Sequence, residues 1–110
     1  MNNPFIAVTT TTGSRAEAQK IGRALVEQKL AACAQIEKVE SFYAWDGAVQ
    51  HEEEYRLLCK TAASRYEAVE AAIRRLHTYE LPAIHAVALE RVDAPYGEWL
   101  EEHSRGAASG

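Results

Sequence analysis

The spacing of apolar positions switches between two and about 3.6 along the chain, and each switch marks an element. Phe5 to Thr11 is rich in β-branched residues and stops at Thr12-Gly13-Ser14, which predicts a strand feeding a turn. A helix follows, with Ala18, Ile21, Leu25 and Gln28 on one face. Ser14 and Glu17 form a capping box at its start, and it ends near Lys29. The same device returns about fifty residues later. After a strand ending at Thr61, Ser64-Arg65-Tyr66-Glu67 caps a second helix with Ala68, Ala71, Ala72 and Leu76 at helical spacing, and a last strand runs from Ala83 to Leu89.

Two halves of strand, helix and strand are the split βαβ arrangement, so the expected fold class is α+β, a ferredoxin-like βαββαβ sandwich. Asp46-Gly47 is a two-residue turn signal, and it joins the halves through a hairpin with Ser41 to Trp45 on one arm and Tyr55 to Lys60 alternating on the other. Extended over Val49 to Thr61, the second arm reaches ~40 Å, against a radius of gyration near ~13 Å for a domain this size. The domain cannot cover such an arm by itself. Phe42, Tyr43, Trp45 and Tyr55 concentrate there, which favours pairing with another chain in a closed oligomer, while His51-Glu52-Glu53-Glu54 reads as a run that blunts the strand edge. Asp93-Ala94-Pro95 starts a short C-terminal helix on which Tyr96, Trp99 and Leu100 share a face, with Trp99 as its anchor. The expected organisation is one domain over residues 1–104 and a small, polar tail over 105–110.

Composition narrows the function. Hydrophobic residues make up 47% of 110 positions and charged ones 25%, enough for one core. The net charge of −4 disfavours nucleic acid as a partner. Cys33 and Cys59 form no Cys-x-x-Cys and read as reduced core thiols. No stretch has the length and apolarity of a membrane span or a leader, so a cytoplasmic location is expected.

Candidate chemistry is sparse. Thr9 to Thr12 lead through Gly13 to a helix start followed by Arg15, a loop able to offer N–H groups to an anion as in an acylphosphatase, but strand threonines and a capping Ser14 explain it more simply. His51, His85 and His103 read as hairpin, structural and terminal residues. His77 stands apart, because it ends the second helix and is followed by Tyr79, Glu80 and Pro82; helix capping accounts for it equally well. No serine, cysteine or lysine has a base and an orienting group beside it, so no catalytic residue is assigned and an enzyme is not expected.

Several sequence words, in order, resemble the CutA family of divalent-cation tolerance proteins: Leu25-Val26-Glu27 with Leu30-Ala31-Ala32-Cys33, Tyr43-Ala44-Trp45-Asp46-Gly47, Glu54 leading to Leu57, Leu58, Lys60 and Thr61, His77-Thr78-Tyr79-Glu80-Leu81-Pro82, and Tyr96-Gly97-Glu98-Trp99-Leu100. The resemblance implies a homotrimer, similar to the PII signalling proteins, in which long hairpins extend sheets between subunits. It also implies a response to copper or other divalent metals such as zinc, with His77 as the metal-site residue. Trp45, Lys60, Tyr79 and Glu80 would line a cleft between subunits for a metal ion or small anionic ligand. Interface packing explains Trp45 and Tyr79 as well, and a surface ion pair Lys60. The family's copper-site cysteine is replaced by Thr10, the first histidine of its pair by Leu76, and a motif glutamate by Ala83. Any copper binding of that design is weakened, since a hydroxyl and an isobutyl group replace a thiolate and an imidazole. The alternatives are an acylphosphatase-like hydrolase acting through Arg15 and an RRM-like RNA binder stacking bases on Phe42, Tyr43 and Trp45.

Overall fold

The computed structural model describes residues 3–105. Its elements in chain order are β1 (Phe5–Thr12), α1 (Arg15–Glu27), β2 (Cys33–Trp45), β3 (Ala48–Ala62), α2 (Tyr66–Leu76), β4 (Ile84–Ala88) and α3 (Ala94–Glu102). They form one sheet of order β2-β3-β1-β4 with every neighbouring pair antiparallel, the ferredoxin-like order expected of two βαβ halves. From residue 106 on, the expected tail lies outside the described residues.

One face of the sheet is buried under α1 and α2. Val8, Leu57 and Cys59 meet Ile21, Leu25, Val69 and Ile73 there, and none of these side chains keeps exposed surface. Each large aliphatic buried this way contributes about 1.5–3 kcal/mol. The Ser14 hydroxyl accepts the Glu17 N–H at 3.1 Å, which caps α1, but the Glu17 carboxylate does not return to complete the box. At the other end, the Leu30 N–H bonds to the Leu25 carbonyl at 2.9 Å and the Lys29 N–H to Val26 at 3.0 Å. This Schellman closure puts Lys29 in the left-handed region, φ 58°, and seats Leu30 in the core with Leu25.

The second cap differs from its expectation. The Ala63 N–H is tied to the Pro4 carbonyl at 2.7 Å, and Ala63–Arg65 then form a 3-10 turn, so α2 begins only at Tyr66 with Arg65 in the cap position and no side-chain cap bond. Ser64 stays exposed. The face of α2 that enters the core carries Val69, Ala72 and Ile73, whereas Ala71 is exposed.

α3 closes one end of the opposite sheet face, packing Leu100 on Phe5 and Ala32. A β-carbon at Gly97 would stand 3.2 Å from the Phe5 ring, so the missing side chain is what allows this close approach. Leu100, with no exposed surface, is therefore the anchor; Trp99 stays 39% exposed on a stripe where it stacks on Tyr96 and tilts against His103.

Beyond the layered part, β2 and β3 continue as a two-stranded arm. Asp46 and Gly47 have φ of 56° and 78°, both left-handed as a type I′ turn requires, and they pair Trp45 with Ala48. The arms are 13 and 15 residues long, and the chain's longest dimension is 44 Å. Near the tip Phe42, Trp45 and Val49 are 65%, 49% and 74% exposed.

Candidate functional site

The site forms where the segment after α2 crosses the end of β1 and the middle of β3. α2 stops at Leu76, and His77 adopts extended backbone angles, φ −79° and ψ 146°, which turn the chain back across the sheet. The His77 side chain has no exposed surface. Its Nε2 lies 2.8 Å from the Thr11 carbonyl, which only accepts, so Nε2 carries the proton; Nδ1 then accepts the Tyr79 N–H at 3.1 Å. Both ring nitrogens are engaged by backbone. The Glu17 carboxylate, released from the cap of α1, accepts from the Thr78 N–H and hydroxyl at 2.8 and 2.9 Å and lies 3.4 Å from His77 Nδ1. The helix start, the helix end and the strand end are thus joined through one imidazole and one carboxylate.

Tyr79 carries the network to the sheet. Its ring tilts against His77 at 4.8 Å, its hydroxyl reaches into the space left by the missing β-carbon of Gly13, and it donates to Glu54 at 2.8 Å. Glu54 is only 6% exposed. Burial, then the bond to Glu54, push the Tyr79 phenol well above its ordinary range, so it remains a donor at neutral pH.

The remaining charges of the run from His51 to Glu53 separate by face. His51 stacks on Phe42 at 4.1 Å and meets Glu40 at 2.6 Å, Lys38 pairs with Glu53 at 3.3 Å, and Glu52 accepts from Tyr43. The bond to Glu52 is the main cause raising the Tyr43 phenol to about 12. These exposed pairs add little stability. Glu54, next in the sequence, is different, because the chain after α2 covers it.

Between this segment and the outer arm lies an open cleft of about 680 Å³. Trp45, Tyr79 and Glu80 line it together, as do Phe42, Tyr43, Glu40 and Glu54. Lys60 does not line it within one chain: it stands near α3, with Nζ 3.5 Å from the Tyr96 hydroxyl. Sequence reasoning missed Glu17, Glu40, Tyr43 and Glu54 as site residues. The signal present for Glu54 was its place at the head of a family word.

The positions related to a copper site are placed as follows. Thr10 is 1% exposed, with its hydroxyl lacking a hydrogen-bond partner among the described residues, and Ala83 lines the cleft wall. Leu76 packs against the core. No group of three or more His, Cys, Asp or Glu side chains among the described residues is arranged to hold a metal ion. A buried hydroxyl without a partner costs about 1–3 kcal/mol. Thr10→Val keeps the shape and removes that cost, so urea denaturation is expected to show a gain of about 1 kcal/mol; a loss instead would mean the hydroxyl is satisfied in solution.

The hydroxyl loop after β1 is also committed. Thr12 donates to the Ser14 carbonyl at 2.8 Å, Ser14 caps α1, and the Arg15 guanidinium lies 5.0 Å over the Tyr55 ring.

Comparison with known proteins agrees with this architecture. The family described as CutA1 divalent ion tolerance protein matches residues 6–103. The divalent-cation tolerance protein CutA of Archaeoglobus fulgidus is 33% identical over 98 residues, 89% of this chain and 94% of that protein. The chloroplastic CutA of Arabidopsis thaliana is 34% identical over 103 residues, 93% of this chain and 57% of that protein. Among solved structures, the periplasmic divalent cation tolerance protein CutA from Archaeoglobus fulgidus superposes with a TM-score of 0.90 at 30% identity, covering 92% of this chain and 99% of its own. CutA1 from the psychrotrophic Shewanella sp. SIB1 gives 0.91 at 33%, covering 96% and 100%. With the family spanning nearly every described residue on the same fold, the chain belongs to the CutA1 divalent ion tolerance family.

Proposed function

We propose that this chain is a cation-responsive binding module that works as a homotrimer, and that it binds rather than catalyses. One observation carries the reading: Glu54 and Glu80 line the cleft, and among the described residues no Lys, Arg or His does. Such a lining attracts cations and repels the small anion also considered from sequence.

The copper design of the family does not fit the residues here. Thr10 and Leu76 offer no thiolate or imidazole, and ligation by His77 would give up its bond to Thr11 or to Tyr79. In this reading His77 is a structural clamp beside the cleft, and a divalent ion would be held only weakly, through carboxylates and water. The trimer is supported by the long arm and its uncovered Phe42, Trp45 and Val49, which need a partner surface. No helix among the described residues is long and apolar enough to cross a membrane. We place the protein in the cytoplasm, although relatives include one named chloroplastic and one named periplasmic.

The test joins light scattering with calorimetry, using Zn(II), Cu(II) and choline as separate titrants. A species three times the 12.2 kDa chain mass is expected at micromolar concentration, with cation binding lost in Glu54→Gln. A monomer at that concentration, or no heat from any of the three cations, would sink the proposal.

A further inference from the structure

A groove of about 880 Å³ lies between α3 and the chain that runs into it from β4. Phe5, at the start of β1, forms its bottom and pairs with Ala62 at the end of β3, the whole length of that strand away from the hairpin tip. The groove is therefore clear of the arm surface assigned above to a neighbouring copy.

Floor and walls differ in character. Leu89 and Val92 are half-buried and Pro4 and Ala94 exposed, and with the missing side chain of Gly97 they leave the floor apolar. The walls carry Glu90, Asp93, Glu98, Glu101 and Glu102 against a single guanidinium, Arg105. That surplus equals the net charge of −4 of the whole chain, so acidic and basic residues balance everywhere else. The acidity of this protein is a property of one groove.

The arrangement works against α3 itself. Glu101 and Glu102 lie in its last turn, where the negative end of the helix dipole disfavours anions, and no basic residue in that turn offsets them. Glu98 and Glu102 stand four positions apart, a like-charge pair on one helix face. None of the five carboxylates forms an ion pair among the described residues. An external cation would relieve all of this at once.

The floor decides which cation fits. The carboxylates are not gathered as a metal ion requires, among the described residues, and a metal would leave the apolar surface uncovered. A peptide segment with an apolar side chain among Lys and Arg residues matches both parts, burying the floor and pairing with the walls. We infer that the groove beside α3 docks a basic segment of a partner protein, its apolar side chain on Leu89 and Val92 and its flanking cations on Glu98, Glu101 and Glu102.

The probe is a rhodamine-labelled peptide, Gly-Lys-Arg-Leu-Lys-Arg-Gly, followed by fluorescence anisotropy on the intact protein at low and at physiological salt. Saturable binding is expected, at least threefold weaker at the higher salt and at least tenfold weaker to Glu98→Lys with Glu102→Lys. Replacing the leucine of the peptide by serine is expected to weaken it at least threefold. Because the double variant removes repulsion within α3, circular dichroism is expected to show its helix retained. Glu27→Lys with Glu67→Lys makes the same change of net charge at exposed positions of α1 and α2, and is expected to leave binding within twofold. Equal weakening by the two pairs would mean attraction to net charge alone and overturn the inference. So would equal affinity for the serine peptide, no saturable binding, or displacement of the probe by an equal concentration of spermine. Binding that appears only after deletion of residues 106–110 would make the groove a seat for the chain's own end, which also overturns it.

Discussion

His77→Ala is expected to lose about 3–4 kcal/mol of stability in buffer containing a chelator, a loss that no metal-ligand role explains. The imidazole has no exposed surface, so truncation leaves a cavity under Tyr79. It also leaves the Thr11 carbonyl and the Tyr79 N–H without their partner, each costing about 1–3 kcal/mol where water cannot enter. Partial collapse and water entry offset some of that sum, which sets the lower figure. His77→Gln supplies a terminal amide able to reach Thr11 and is expected to recover part of the loss. Urea denaturation of the three proteins decides it. A change below about 1 kcal/mol for His77→Ala would mean that the imidazole does not pin the crossing segment.

How much of this was legible in the sequence depended on whether a signal was local. Asp46-Gly47 specified its turn by itself, because few other residue pairs accept two successive left-handed conformations, and the turn in turn set the register of β2 and β3. The split βαβ order followed from the alternation of strand and helix patterns. Ser64 failed because a cap depends on where the preceding strand releases the chain: the bond from Ala63 to Pro4 routes it through a 3-10 turn. Trp99 was chosen for its size, yet the helix met the sheet at Gly97 and presented Leu100 instead.

The site was less legible than the fold, for the same reason. Glu17 read as half of a capping box and Glu54 as part of a solvated charge run, and both readings fit their neighbours in sequence. Their partners, Thr78 and Tyr79, stand 61 and 25 positions away, so only the assembled fold distinguishes a bridging carboxylate from a surface one. Trp45, Tyr79 and Glu80 line one cleft of the single chain. Lys60 falls on the same strand as Glu54 but six residues nearer α3, which at about 3.3 Å per residue puts it ~20 Å along the sheet.

Alkaline pH is expected to unfold this protein earlier than its core would suggest, and Cys59 is the main cause. Burial among Val8, Leu57 and Ile73 raises its thiol from the ordinary 9.0 to about 12, with a smaller contribution from Cys33. Below pH 9 the thiol is protonated in both the folded and the unfolded chain, and the stabilisation is fully present. Between pH 9 and about 12 the unfolded chain sheds this proton while the folded one keeps it, so stability falls by about 1.4 kcal/mol per pH unit for this group. At pH 11 the accumulated loss is about 3 kcal/mol, a large share of the 5–15 kcal/mol typical of a domain. The phenol of Tyr79, also raised, adds to the decline above pH 10. Cys59→Ala pays a cavity cost at pH 7 but removes one proton from the linkage, so its stability is expected to fall less steeply than that of the wild type between pH 9 and 11. Urea denaturation at half-unit steps over that range measures both slopes. Parallel curves for the two proteins would mean that the thiol ionises as readily inside the fold as outside it, and that Cys59 is reached by water.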